Sequence, residues 1–209
     1  MSTRRPERTS MPPEAVEALR ASDPVLRDLI DRIGPFEPSH EPDLWWSLVD
    51  AIASQQLSIK AAATILGRIE ALGPDGRRPT PAEILAFPDE TLRACGLSRA
   101  KVVYLRDLAT RWLDGTLEPH RFDSFTDDEV IEHLVRVKGI GRWTAEMVLM
   151  FTLRRPDVLP VDDLGLRIAV QQAYGLAERP GRKELEALGE RWRPWRSIAS
   201  FYLWRSRRV

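Results

Sequence analysis

The stretch LVRVKGIGRWTAEMVLMFTLRRPDVLPVDD, residues 134–163, decides how this chain is read. Gly139-Ile140-Gly141 breaks two apolar segments with helical spacing. Leu134 and Val137 close the first segment, and residues 143–153 form the second, which Arg154-Arg155-Pro156 ends. Residues 157–161 run extended, stiffened by Pro160, and lead to two adjacent carboxylates, Asp162 and Asp163. One of the pair caps the helix that starts at Leu164.

Glycine permits backbone conformations and close approaches closed to other residues. The helix after such a loop presents unused amides and the positive end of its dipole to an anion. A phosphate between two nucleotides fits there, held without regard to base sequence. Taken alone, the two glycines fit a tight turn between packed helices better. The apolar helices on both sides and the acidic pair behind them favour a grip on a nucleic-acid backbone.

Upstream, the chain repeats one theme, a polar cap followed by an apolar helical stripe. Pro12-Pro13 opens a helix over residues 15–21, and Asp23-Pro24 opens the next, with Val25, Leu26, Leu29, Ile30 and Ile33 on one face. Asp43 caps a helix of Leu44, Trp45, Leu48, Val49 and Ile52; it breaks at Ser54-Gln55-Gln56-Leu57-Ser58, and Ser58 caps the helix that follows. Two glutamines at such a break read either as surface residues at a turn or as groups that reach into a groove. Thr80 caps residues 81–86, Ser98 caps a long helix carrying Ala100, Val103, Leu105, Leu108 and Trp112, and Thr126 opens a helix with an acidic first turn. Beyond Leu164, Gly175 ends one helix, another begins at Arg182, and a last one spans 194–205. No period-2 strand series and no internal repeat appears. The expectation is an all-α chain of about ten short helices, with residues 1–10 a disordered polar tail.

A chain of 209 residues, 43% apolar and 30% charged, has the composition of one or two globular domains. Thirty-one basic residues balance 31 acidic ones, so bulk positive charge does not hold this chain to DNA. Backbone amides, helix ends and local arginines remain available for that task. Arginines 191, 193, 196, 205, 207 and 208 crowd the C-terminus, where a solvated helix face is the common reading. The single cysteine, Cys95, leaves no internal disulfide and no four-cysteine zinc or iron–sulfur site, and His40, His120 and His133 lack metal-ligand spacing. No apolar run approaches the roughly 20 residues needed to cross a bilayer. The N-terminus lacks the apolar core of a secretory signal, so a reducing cytoplasm is expected.

Five motifs in order resemble the helix–hairpin–helix base-excision DNA glycosylases, and within them the alkylation-repair branch, of the DNA-3-methyladenine glycosylase II type. They are SQQLS at residues 54–58, GLSRAK at 96–101, VKGIGRWTA at 137–145, DDLGLR at 162–167 and WRPWRS at 192–197. The resemblance covers roughly residues 20–209. It implies two helical subdomains with the active cleft between them. Residues 41–160, with the hairpin at 134–153, would form the central one, and residues 11–40 plus 161–209 the second. The chain is expected to be the compact form, without the extra N-terminal β domain of longer members and without the C-terminal four-cysteine cluster of some relatives.

The implied reaction is hydrolysis of the N-glycosidic bond of an alkylated base (3-methyladenine or 7-methylguanine type) in double-stranded DNA. The resemblance assigns catalysis to Asp163, with Asp162 the alternative where relatives carry a V-D motif. Gln56 is the wedge that fills the gap left by the extruded base, with Leu57 the runner-up. Trp46, Trp143, Met147 and Trp204 line the base pocket; Met147 stands where some relatives have an aromatic residue. Lys138, Gly139, Ile140, Gly141, Arg142 and Thr144 hold phosphate. Relatives that also cut the strand carry a lysine at position 143; tryptophan cannot form a Schiff base, so the chain is expected to be monofunctional. No cofactor is required, although a sodium or potassium ion on the carbonyls of Val135, Val137 and Ile140 would strengthen the grip, as in relatives. A monomer acting on the bacterial nucleoid is expected, with no membrane partner. The alternatives are another base specificity (hypoxanthine, ethenoadenine, uracil or 1-methyladenine) and a non-catalytic helix–hairpin–helix DNA-binding module.

Overall fold

The computed structural model describes residues 11–207; the tail read as disordered and Arg208 lie outside them. Among the described residues there are twelve α-helices and no strand. In chain order these are α1 (Pro13–Ser22), α2 (Pro24–Ile33), α3 (Leu44–Ala53), α4 (Ile59–Glu70), α5 (Pro81–Ala86) and α6 (Asp89–Ala94). Then come α7 (Arg99–Leu113), α8 (Asp127–Leu134), α9 (Arg142–Phe151), α10 (Leu164–Ala173), α11 (Arg182–Gly189) and α12 (Arg196–Ser206).

The helix starts follow side-chain chemistry. The carboxylates of Asp23, Asp43 and Asp163 and the hydroxyls of Ser58 and Ser98 each accept a backbone amide of the helix they precede. Thr80 with Glu83, and Thr126 with Glu129, form reciprocal capping boxes on α5 and α8. The last helix starts at Arg196 rather than 194. Arg193, preceding Pro194, is extended (φ −60°, ψ 142°), as the residue before a proline prefers, and delays the helix.

The chain divides into two compact units. One is Glu41–Val148, built on α7, which packs against α3, α5 and α6. Leu48, Ile52, Ile69, Ile84, Leu92, Leu105, Leu108, Val130 and Leu134 are buried in it. The other holds the chain up to His40 together with Leu149–Val209. In it α12 contacts both α2 and α10, and Leu26, Leu166, Val170, Ile198, Tyr202 and Leu203 share one core. α9 therefore begins in one unit and ends in the other.

The expected boundary after residue 160 moves back to 148 for a physical reason. The Ser197 hydroxyl accepts the Val158 amide proton at 2.9 Å and donates to the Arg155 carbonyl at 2.7 Å. Arg196 Nε reaches Asp157 Oδ1 at 2.7 Å, and Phe151 lies against Phe201 and Trp204. The passage after α9 is thus bound to the residues of the WRPWRS motif.

Asp23 anchors the same unit. It is fully buried, and its Oδ2 accepts the Tyr174 hydroxyl at 2.6 Å and Trp192 Nε1 at 3.1 Å, with Arg191 Nη1 3.7 Å away. Donors and an opposite charge offset the cost of burying this carboxylate. Burial, then the Asp23 carboxylate, pushes the Tyr174 phenol well above its usual range.

Candidate active site

Asp163 ends the stiff passage and heads α10. Its Oδ1 accepts the Leu166 amide proton at 2.5 Å and the indole Nε1–H of Trp204 at 2.9 Å. Trp204 comes from the last turn of α12 and is stacked on Phe151, with ring centroids 5.9 Å apart and planes 20° apart. Phe201, one turn earlier, supports the same ring at 6.0 Å. The carboxylate is thereby fixed by a helix start on one side and an aromatic cluster on the other.

The second residue of α10 is closely approached by polar groups. A Cβ on Gly165 would lie 3.1 Å from Asp163 Oδ1, 3.2 Å from Arg207 Nη1 and 3.6 Å from Trp204 Nε1. Three polar groups therefore converge over a bare backbone. Asp162, the alternative acid, faces water: its side chain is 51% exposed and its Oδ2 lies 3.4 Å from Arg182 Nη1. Of the pair, Asp163 is the cap and has the aromatic partner; Asp162 is a solvated acid in a surface ion pair.

The hairpin lies in the other unit. Gly139 takes φ +82°, where a side chain is strained, and a Cβ there would come within 2.2 Å of the Tyr104 ring. Its glycine is demanded twice over, by conformation and by the tyrosine of α7. The Lys138 amide donates to Asp107 Oδ2 at 2.9 Å, and the Ile140 amide to the Val137 carbonyl at 3.1 Å. Those two amides are committed within the protein, and the Ile140 side chain is buried. Gly141 accepts the Ala145 amide, so the first turn of α9, headed by Arg142, supplies the amides that no intrahelical bond uses.

Two of the expected phosphate ligands have buried or ion-paired side chains, which leaves their first-turn amides for that role. Thr144 is buried, at 7% exposure. Arg142 Nε is bound to Glu146 Oε1 at 3.0 Å and its Nη2 lies 3.7 Å from Asp128, so its charge is already partnered.

The turn between α3 and α4 carries the expected wedge. Gln56 has φ +57°, a left-handed conformation that lifts it out of the helix path, and Leu57 is 40% exposed. Trp143, 44% exposed, and half-buried Met147 stand one helical turn apart on α9, on the same face. Trp46 is a correction to the expected pocket. It is 5% exposed, and the Arg78 guanidinium covers its ring at 4.8 Å from the centroid. Arg78 is itself held by Glu41. This ring packs the unit and offers no face to a base.

Gly165, Gln55, Lys101, Tyr104 and Asp107 were not singled out by role in the sequence. For the last three the signal was present. Positions 101, 104 and 107 recur at helical spacing on α7, so they share a face, and two of them touch the hairpin.

Among the described residues, no three His, Cys, Asp or Glu side chains group as a metal site, and no helix is long and apolar enough to cross a membrane.

Comparison with known proteins identifies the family. The family described as HhH-GPD superfamily base excision DNA repair protein matches residues 49–194. The DNA-3-methyladenine glycosylase 1 of Schizosaccharomyces pombe is 34% identical over 195 residues, spanning 91% of this chain and 86% of that protein. The solved 3-methyladenine DNA glycosylase of that yeast, in complex with abasic DNA, superposes with a TM-score of 0.85, covering 94% of this chain and 97% of that one. A DNA-3-methyladenine glycosidase from Bacillus halodurans, 37% identical, gives 0.86 over 95% of this chain and 91% of its own. This chain belongs to the HhH-GPD superfamily of base excision DNA repair proteins.

Proposed function

We infer that this protein is a monofunctional DNA glycosylase that hydrolyses the N-glycosidic bond of alkylated bases. The observation that carries the reading is the Asp163 carboxylate held by the Trp204 indole at the head of α10. Breaking the bond builds positive charge on the sugar, and a fixed carboxylate stabilises that oxocarbenium-like transition state more than the neutral ground state. Pre-fixing matters because the group then needs no reorganisation as charge develops.

Alkylation at N3 or N7 of a purine makes the base cationic, hence already a good leaving group. A strong general acid is then dispensable, and an electron-rich ring attracts the cation by its quadrupole. Trp204, in the unit that carries Asp163, supplies such a ring. A base inside a duplex is out of reach, so the nucleotide is extruded at a cost of a few kcal/mol. Gln56 fills the gap while the start of α9 holds the backbone through amides rather than net charge, as a chain of zero formal charge requires. With tryptophan at 143 there is no amine to attack the sugar carbon, and the product is an abasic site on an intact strand.

The carbonyls of Val135, Val137 and Ile140 are hard oxygen donors suited to an alkali ion, although Val137 already accepts the Ile140 amide proton. Sodium or potassium there would brace the hairpin and take no part in bond cleavage.

The test is base release from duplexes that each carry one 3-methyladenine, 7-methylguanine, hypoxanthine, ethenoadenine, 1-methyladenine or uracil. The reading expects the cationic alkylpurines to be released, with strands intact until alkali is added. Release of a neutral base alone would reassign the specificity. A borohydride-trapped covalent complex would contradict the monofunctional mechanism, and no release from any duplex would contradict the enzymatic one.

A further inference from the structure

The wedge turn and the hairpin are separated by more than 80 positions in sequence, yet a side chain joins them. Gln55 Nε2 donates to the Gly139 carbonyl at 2.7 Å. The Gln55 carbonyl in turn accepts from Lys101 Nζ at 2.7 Å, and the same ammonium reaches the Ala53 carbonyl at 2.8 Å. Lys101 thus closes the carboxyl end of α3, where carbonyls lack helical partners. Burial lowers the pKa of this lysine.

One face of α7 serves both elements. Lys101 holds the wedge turn, Tyr104 lies against Gly139, and Asp107 takes the Lys138 amide. Gln55 closes the frame from the other side. Gln56, the next residue, is in a left-handed conformation that costs a non-glycine residue energy and persists only where its surroundings enforce it. The bonds at Gln55 and Lys101 are that enforcement.

We propose that Gln55 is a positioning residue that sets the wedge Gln56 at a fixed offset from the phosphate grip, so that gripping the backbone and filling the vacated base position happen in one register. The proposal rests on the glycosylase reading given above. The Gln55 amide is spent on Gly139 and is not assigned to DNA. Its loss leaves the grip intact and lets the wedge turn drift.

The test uses the full chain with Gln55→Met, which keeps length and removes the donor, and Gln55→Asn, which keeps the amide but falls short of Gly139. Single-turnover base release is measured from 7-methylguanine paired with cytosine and from 7-methylguanine opposite a tetrahydrofuran abasic analogue. Extrusion costs least where the base is unpaired, so the second duplex has less need of the wedge. The expected result is a loss of about 10-fold on the paired duplex for both variants. On the unpaired duplex they should come within about 3-fold of the parent. Unfolding temperature and affinity for undamaged duplex should be unchanged. Equal losses on both duplexes, or none on either, would overturn the proposal.

A second readout separates it from the parent reading. In a duplex with tetrahydrofuran opposite 2-aminopurine, the parent protein should raise the fluorescence as the wedge unstacks the base, and Gln55→Met should bind without that rise. This decides the proposal even if the parent protein releases no base at all, an outcome that would refute only the glycosylase reading. An equal rise with Gln55→Met would overturn the proposal.

Discussion

Trp204 donates its indole proton to Asp163 across 41 positions of sequence, at 2.9 Å, joining the last turn of α12 to the first of α10. The bond makes a helix cap into a candidate catalytic group. A cap needs one acceptor for the Leu166 amide, and serine or asparagine would serve it equally. A tryptophan on the same oxygen is not needed for capping; it fixes the carboxylate's rotation beside an aromatic wall.

Trp204→Phe separates the two tasks of that ring. Phenylalanine keeps the stack on Phe151 and loses the donor. A hydrogen bond to a charged group contributes roughly 1.5–3 kcal/mol to stability, so the unfolding temperature should drop by several degrees, and with the carboxylate no longer fixed single-turnover base release should fall by about 10-fold or more. Unchanged release in rapid-quench measurements would show that the bond does not serve the reaction.

Gly165→Ala should trade stability against rate. Alanine inside α10 would gain up to about 1 kcal/mol of helix propensity. Its Cβ, 3.1 Å from Asp163 Oδ1 and 3.2 Å from Arg207 Nη1, would force these neighbours to give by a few tenths of an ångström. We expect an unfolding temperature equal to or above that of the parent and a base-release rate several-fold lower, the displacement of a positioned group being costly. A variant at full rate would mean that the three groups adapt freely.

Acid stability should report the capping box of α5. The Arg77 guanidinium first, then the Thr80 amide, hold the Glu83 carboxyl at about 2, against an ordinary value of 4.5. The folded value lies below the unfolded one, so this contribution is complete above about pH 4.5 and is lost as pH falls toward 2. Thermal unfolding in that window should steepen with acid for the parent chain and less so for Glu83→Gln. Identical slopes would remove Glu83 from the acid response.

The helices were legible because caps and apolar stripes are local. Asp43, Ser58, Thr80, Ser98 and Thr126 each announce a helix start, and each accepts the amide that its position predicts. The break at residues 54–58 was visible, yet the Gln55–Gly139 bond that ties it to the hairpin was not, being a long-range contact with no local signature. Trp46 was misread because spacing cannot tell a ring facing a ligand from one covered by Arg78. A motif likewise gives residue types and not partners, so the ion pairs of Arg142 with Glu146 and Asp128 had no signal in it. Asp163 and Asp162 are neighbours in sequence and differ in surroundings: one meets an indole, the other Arg182 and water.

The most direct test compares Asp163→Asn with Asp162→Asn in base release from a duplex bearing one alkylated purine. Asparagine keeps an oxygen for the Leu166 amide and for Trp204, and caps a helix as well as aspartate does, so the fold is held constant and only the charge is removed. Loss of fixed electrostatic stabilisation of this kind typically costs about 100-fold or more, so Asp163→Asn should fall by at least that factor at an unchanged unfolding temperature. Asp162→Asn should stay within about 2-fold, as expected for one partner of an exposed ion pair. Near-native release by Asp163→Asn, with or without loss in Asp162→Asn, would contradict the account.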